Sequence, residues 1–90
     1  MIYQVVTTLS GNEVIRRAKA FFAERVPMQA AYPEKEGPSY LVLRGQGGEE
    51  IAIAALPAAN GTRVRASTLF FDQPVDRFLT TLPVAEDGAS

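Results

Sequence analysis

A capping box followed by one apolar stripe is the feature that most constrains the fold of this chain. In the segment Ser10-Gly11-Asn12-Glu13, the serine hydroxyl can accept from the backbone N–H of Glu13, and the glutamate carboxylate can reach back to the serine N–H. Apolar residues then recur with the helical period at Val14, Ile15, Ala18, Phe21, Phe22 and Val26. Because Pro27 cannot continue the pattern, the sequence predicts a helix over residues 11–26 with one buried face.

Short strand-like segments surround this helix. The predicted strands cover residues 2–9, 28–32, 39–44, 49–56 and 62–71, and the second of them is short and weak. Residues 33–38 predict a polar turn, and Pro57 predicts the end of the fourth strand. The pair Asn60-Gly61 is a strong hairpin signal, and residues 45–48 predict a second hairpin turn because no helix follows them to form a phosphate loop.

A second helix is predicted to close the domain. It begins near Asp72 or Gln73, with Asp72 expected as the N-cap, and it ends at Pro83. Its apolar residues, Val75, Phe78, Leu79 and Leu82, form one stripe. The sequence therefore predicts a single α+β domain over residues 1–83 and a flexible tail over 84–90. The expected order is β-α-β-β-β-β-α, with an antiparallel sheet of about five strands and both helices on one face.

This order of elements resembles the helix-grip arrangement of the SRPBCC superfamily, which includes polyketide cyclases and START-like lipid carriers. The segment Gly61-Thr62-Arg63-Val64-Arg65-Ala66-Ser67, followed by Phe78-Leu79, is similar to the final strand and helix of such proteins. The resemblance implies an apolar cavity between the sheet and the closing helix for a small lipophilic ligand. The same order at this length also resembles a half-repeat of the TATA-box-binding-protein-like fold, which implies a unit that works in pairs.

The composition argues against most catalytic chemistry. The chain contains no His, Cys or Trp, which removes the commonest general base, the thiol nucleophile and the soft metal ligands. We therefore expect no enzyme activity, no metal and no cofactor. Nine basic and ten acidic residues leave a net charge of −1, so we expect no nucleic-acid partner. The longest nearly apolar run, residues 51–59, is too short to cross a bilayer, and we expect a cytoplasmic protein.

Three arginines form a candidate anion contact. Arg63 and Arg65 lie two residues apart on a predicted strand and therefore share one face, and Arg44 lies on a neighbouring strand. Their guanidinium groups could together hold a phosphate or a carboxylate. The alternative is a solvated face on which the arginines pair across strands with Glu49 or Glu50.

The sheet itself carries the clearest functional signal, because neither of its faces is cleanly polar. The residues expected to face the helices are Leu41, Leu43, Ile51, Ile53, Val64 and Phe70. The residues expected to face outward are Tyr40, Val42, Ala52, Ala54, Leu56, Leu69 and Phe71. Apolar surfaces of this kind usually mark a partner site.

Two functions follow from these features. The first is a protein-interaction or assembly subunit, either a homo-oligomer or part of a larger assembly, with an interface formed by Tyr40, Val42, Leu56, Leu69 and Phe71. The alternative is a carrier or sensor of a small lipophilic ligand in a reduced helix-grip pocket.

Overall fold

The computed structural model describes residues 1–24 and 30–85. The elements, in chain order, are β1 (Ile2–Thr7), α1 (Gly11–Ala23), β2 (Ala31–Glu36), β3 (Tyr40–Gly45), β4 (Glu50–Ala58), β5 (Gly61–Thr68) and α2 (Asp72–Thr80). The five strands form one antiparallel sheet in the order β1-β5-β4-β3-β2, so β1 and β2 are its edges. The predicted α+β class and the predicted order of elements are confirmed.

Both helices lie on one face of the sheet, which we call the inner face. The fully buried residues include Val14, Ala18 and Phe22 of α1, Leu41, Leu43, Ile51 and Val64 of the sheet, and Val75 of α2. Each helix has only one apolar stripe, so it can bury that stripe only by packing on the sheet. The rings of Phe21, Phe22 and Phe78 meet between the two helices, with centroids 5.2 to 5.7 Å apart.

The start of α1 forms half of the predicted capping box. Ser10 has an extended backbone, and its Oγ accepts from the backbone N–H of Glu13 at 3.2 Å. The Glu13 carboxylate instead accepts from Arg16 and Arg17, and these bonds lower the pKa of Glu13 to about 2. The helix ends at Ala23, and Val26 and Pro27 lie outside the described residues.

Replacing Ser10 with Ala should destabilise the protein by about 1 kcal/mol, because one backbone N–H at the start of α1 loses its acceptor. Urea denaturation followed by far-UV circular dichroism measures this difference. Ser10→Thr is the matched control, because it keeps an accepting hydroxyl and should lose much less stability. Equal losses for the two variants would show that the cap contributes nothing.

Two predictions about the strands are wrong. Residues 33–36 are not part of a turn but continue β2, which pairs with β3 along the sheet edge with a bulge between Pro33 and Lys35. Their polar side chains are exposed, so pairing with β3 decides their conformation more than their own propensity does. The weak strand predicted over 28–32 overlaps β2 at Ala31 and Tyr32, and residues 28 and 29 lie outside the described residues.

Pro57 does not end the fourth strand, which continues to Ala58. The hairpin loop is Ala59-Asn60, one residue before the predicted pair, and Ala58 pairs with Gly61 across it. In antiparallel pairs, hydrogen-bonded and non-hydrogen-bonded positions alternate, so the Pro57–Thr62 pair next to Ala58–Gly61 is a non-hydrogen-bonded one. The nitrogen of Pro57 therefore points away from β5, and its missing N–H costs the β4–β5 ladder nothing.

The segment that follows α2 returns to β1. Val84 forms an isolated bridge with Thr7, and the Ala85 N–H donates to the Val6 carbonyl at 2.9 Å. The Thr8 N–H donates to the Pro83 carbonyl at 3.3 Å, and the Thr7 hydroxyl donates to the same carbonyl at 2.6 Å. Of the predicted tail 84–90, these two residues pair with the sheet edge, and residues 86–90 lie outside the described residues.

Candidate protein-binding face

The outer face of the sheet, opposite the helices, combines apolar and small side chains with a few charged ones. Register defines its rows: Tyr40 pairs with Ala54, Ala54 with Arg65, and Arg65 with Gln4. The next row runs through Val42, Ala52, Ser67 and Ile2. Leu56 pairs with Arg63, which pairs with Val6. A centre of small residues is therefore bordered by larger apolar side chains and by Arg63 and Arg65.

Four of the five predicted interface residues are at or near this face. Tyr40 and Leu56 are about half exposed, and Val42 is partly buried on the same face. Leu69 lies just beyond the end of β5 and is 78% exposed. The residues predicted for the inner face are also buried there, with one exception described next.

The predicted faces of Phe70 and Phe71 are reversed. Phe71 is 5% exposed and belongs to the core, whereas Phe70 is 76% exposed. Strand β5 ends at Thr68, and the buried Thr68 hydroxyl accepts from the backbone N–H of Phe71 at 3.1 Å. This turn interrupts the alternation of side chains between the two faces of the sheet. As a result, the side chain of Phe71, the residue immediately before α2, enters the core. Phe71 is therefore not an interface residue.

The same turn changes the role of Asp72. The N-cap of α2 is Phe71, without a side-chain cap, and Asp72 is the first helical residue. Its carboxylate accepts from the Tyr3 hydroxyl at 2.8 Å and lies 3.7 Å from the chain's terminal ammonium. The hydrogen bond to Asp72 raises the pKa of the Tyr3 phenol. Asp72 therefore ties α2 to β1 rather than capping the helix as predicted.

A second part of the apolar surface was not predicted. Met1, Ile2 and Phe70 are exposed and lie with Leu69 around a depression of about 510 Å³, whose other side is formed by Arg44 and the β3–β4 turn. A smaller depression of about 310 Å³ covers the centre of the outer face, around Ala52 and Ala54. The exposure of Ile2 follows from its pairing with Ser67 on the outer face, a register that no local pattern in β1 reveals.

Arg44 is held by acidic neighbours. It donates to both Glu34 oxygens, from Nε at 3.1 Å and from Nη2 at 2.8 Å, and it also donates to the Gly48 carbonyl at 2.9 Å and to Glu50 at 3.2 Å. The bond from Arg44 lowers the pKa of Glu34, and the bond to Glu34 raises the pKa of Arg44. The charge of this arginine is therefore already balanced within the protein.

Arg63 and Arg65 differ from Arg44 in both position and partners. Arg65 pairs with Ala54 of β4, and Arg44 pairs with Glu50 of the same strand. These two β4 positions are four residues apart, which separates the two arginines by about 14 Å along the strand at 3.4 Å per residue. Both β5 arginines are exposed, and neither forms an ion pair within the described residues. The structure thus does not bring the three predicted arginines together, and among residues 1–24 and 30–85 it gives no acidic partner to the two arginines beside Leu56 and Ala54.

The chain was compared with protein-family models, curated proteins and solved structures, and it matches none of them. None of the helices in residues 1–24 and 30–85 is long and apolar enough to cross a membrane. The same residues contain no group of three or more acidic, His or Cys side chains that could hold a metal ion. The outer face is therefore interpreted from its own geometry and chemistry.

Proposed function

We propose that this protein is a non-catalytic assembly subunit that binds another protein through the outer face of its sheet. The observation that carries the proposal is the exposure of Tyr40, Leu56, Leu69 and Phe70 around the small residues of that face. Both helices lie on the opposite side, so no other element of the described fold covers this surface. A partner that removes it from water gains about 25 cal/mol for each Å² of apolar area buried.

The charges of the face favour a partner that is apolar at the centre and acidic at one side. Arg63 and Arg65 lack acidic partners within the described residues, so carboxylates on a bound protein could form charge-assisted hydrogen bonds with both. Glu34 and Glu50, the carboxylates around Arg44, are already bonded to that arginine. A different protein that supplies its own carboxylates would pair with Arg63 and Arg65 without breaking these bonds.

The helix-grip carrier alternative has less support. Such a carrier needs free space between the closing helix and the sheet, but the buried side chains of α2, including Val75 and Phe78, belong to one packed cluster with the sheet residue Val64. The two depressions described above lie on the outer face and its end. The cytoplasm remains our proposed compartment, because a cysteine-free chain suits a reducing environment.

The proposal predicts that Leu56→Glu and the pair Arg63→Glu/Arg65→Glu remove the protein from its complex. The affinity should fall by about 30-fold or more for Leu56→Glu, the size of a hot-spot loss near 2 kcal/mol. Tagged variants, expressed at natural level in the source cells, are gently extracted and weighed by native mass spectrometry. The wild type should occur in a complex of fixed stoichiometry, and both variants should lose the same component.

Arg77→Glu is the matched control, because it reverses a charge on the exposed side of α2. This variant should remain in the complex. Acidic residues of the partner can be changed to basic ones in turn. Those changes that restore binding of the Arg63→Glu/Arg65→Glu variant would identify the contacting carboxylates. A complex whose mass is unaffected by all the outer-face variants, or a wild type that occurs only as a free monomer, would refute the proposal.

A further inference from the structure

The two depressions of the outer face adjoin and form one groove that runs along the strands. Ile2 and Ser67 line both of them, so the groove continues from one depression into the other. Ala54 lines the depression at the centre of the face, and Glu50 lines the depression at its end. These two residues are four positions apart on β4, so the groove is about 14 Å long or more.

The width of this groove fits an α-helix. Its floor consists of small side chains, those of Ala52, Ala54 and Ser67. The walls at one position are Tyr40 and Arg65, which lie two strands apart, or about 10 Å at a strand spacing of about 4.8 Å. The walls at the next position are Val42 and Ile2, which lie three strands apart, or about 14 Å. An α-helix with its side chains is about 10–12 Å across, whereas a single extended strand occupies only about 5 Å of this width.

We propose that the partner fills this groove with one amphipathic helix that has carboxylates on one flank. The helix is the part of the partner that contacts the outer face, so its assignment rests on the proposed function. Its apolar stripe lies over the small side chains of the floor, and its acidic flank faces Arg63 and Arg65. From Glu50 to Leu56 the surface extends over six residues of β4, or about 20 Å, which is the length of about 14 helical residues.

The two arginines of β5 require the acidic flank. Arg63 and Arg65 are exposed, and neither forms an ion pair within residues 1–24 and 30–85. They lie two residues apart on one strand, or about 7 Å. Carboxylates four residues apart on a helix share one side and are about 6 Å apart along its axis. One such pair can therefore form charge-assisted hydrogen bonds with both guanidinium groups.

The helix comes from another protein. The apolar stripes of α1 and α2 are buried on the inner face of their own sheet, so a second copy has no apolar helix face to offer. The segments 25–29 and 86–90, which lie outside the described residues, have five residues each. Five residues of helix are only about 7.5 Å long, too short for a surface of about 20 Å.

Photo-cross-linking from the two ends of the surface measures the conformation of the bound segment. The photoreactive amino acid p-benzoylphenylalanine replaces the exposed Leu56 in one variant and the exposed Phe70, which lines the same depression as Glu50, in another. The variants are expressed at natural level in the source cells and irradiated, and mass spectrometry identifies the linked partner residues. Because a helix rises 1.5 Å per residue, the two variants should link to one partner segment at positions about 14 residues apart.

The spacing of the links separates the helix from other occupants. An extended segment would give a spacing of about six residues. This spacing, links to two unrelated segments, or a complex that forms without any link from either position would overturn the helix and leave the proposed function intact. A wild type that occurs only as a free monomer would refute the proposed function and the helix together. Capture of a protein does not by itself support the helix, and Arg77 on the exposed side of α2 is the control position that should not link to the same segment.

A synthetic peptide that covers the linked partner segment provides a second measurement with the full chain. Its far-UV circular dichroism should become helical on binding. Proline at a solvent-facing position in the middle of the peptide should weaken its affinity by about 100-fold, because proline breaks the helix. Alanine at the same position is the matched control and should change the affinity by less than about threefold. Binding without a helical signal, or equal affinities for the two peptides, would contradict the proposal.

Filling the floor of the groove should block the same peptide. Ala54→Leu places a larger side chain on the outer face, away from the core, so the protein should fold while its affinity for the peptide falls by about tenfold or more. Ala59→Leu, in the β4–β5 hairpin loop outside the groove, is the control and should bind as the wild type does. Unchanged affinity of a folded Ala54→Leu variant would show that the helix lies elsewhere.

Discussion

Phe71→Ala should destabilise the protein by about 3–5 kcal/mol, the usual cost of removing a buried aromatic ring from a packed core. The ring is 5% exposed and belongs to the main hydrophobic cluster. A loss of this size would consume a large part of the stability of a 90-residue domain. Urea denaturation monitored by circular dichroism would show a shifted midpoint or an unfolded protein at 25 °C.

Phe70→Ala is the matched control for that experiment. It removes the same side chain one residue earlier, where the ring is 76% exposed. The stability should change by no more than about 0.5 kcal/mol. An equal loss of stability in the two variants, or a larger loss for Phe70→Ala, would contradict the turn at Thr68. Phe71 would then lie on the outer face, as the sequence predicted.

Gly61→Ala should cost about 3 kcal/mol or more, because strain and collision act together. Gly61 has a φ of +150°, a conformation that residues with a side chain rarely adopt. A Cβ atom there would lie 2.1 Å from the Thr7 carbonyl oxygen, which is backbone and cannot rotate away. The change would push β1 away from the β4–β5 hairpin, and thermal unfolding measures the loss.

Gly48→Ala separates these two causes. Gly48 also has a positive φ, +90°, but a Cβ atom built there meets nothing within 4 Å. It should therefore cost only the conformational term, about 1–2 kcal/mol. If Gly61→Ala lost no more stability than Gly48→Ala, the close approach of Gly61 to the Thr7 carbonyl would be contradicted.

The corrected position of Phe71 changes how the outer face must be probed. A charge placed at Phe71 would unfold the protein and would mimic the loss of a partner. Leu69 and Phe70 are both exposed, so Leu69→Glu and Phe70→Glu test that end of the surface without entering the core. The apolar surface is therefore accessible to mutagenesis at Tyr40, Leu56, Leu69 and Phe70.

Local features of the sequence were enough to predict the elements and their order. The Ser10 cap and the apolar stripe after it specify α1, and Pro74 within the first turn of a short stripe marks α2, because capping and periodicity are local properties. The alternation in β3 and β4 likewise identified the buried face correctly at Leu41, Leu43, Ile51 and Ile53.

The remaining features depend on contacts between residues that are distant in the sequence. Pairing with β3 made a strand of the polar residues 33–36, and hydrogen-bond parity allowed β4 to continue through Pro57. Register separated Arg44 from Arg63 and Arg65 and gave Arg44 to Glu34. A single hydrogen bond at Thr68 exchanged the faces of Phe70 and Phe71, because one turn at a strand end reverses the alternation for every residue beyond it.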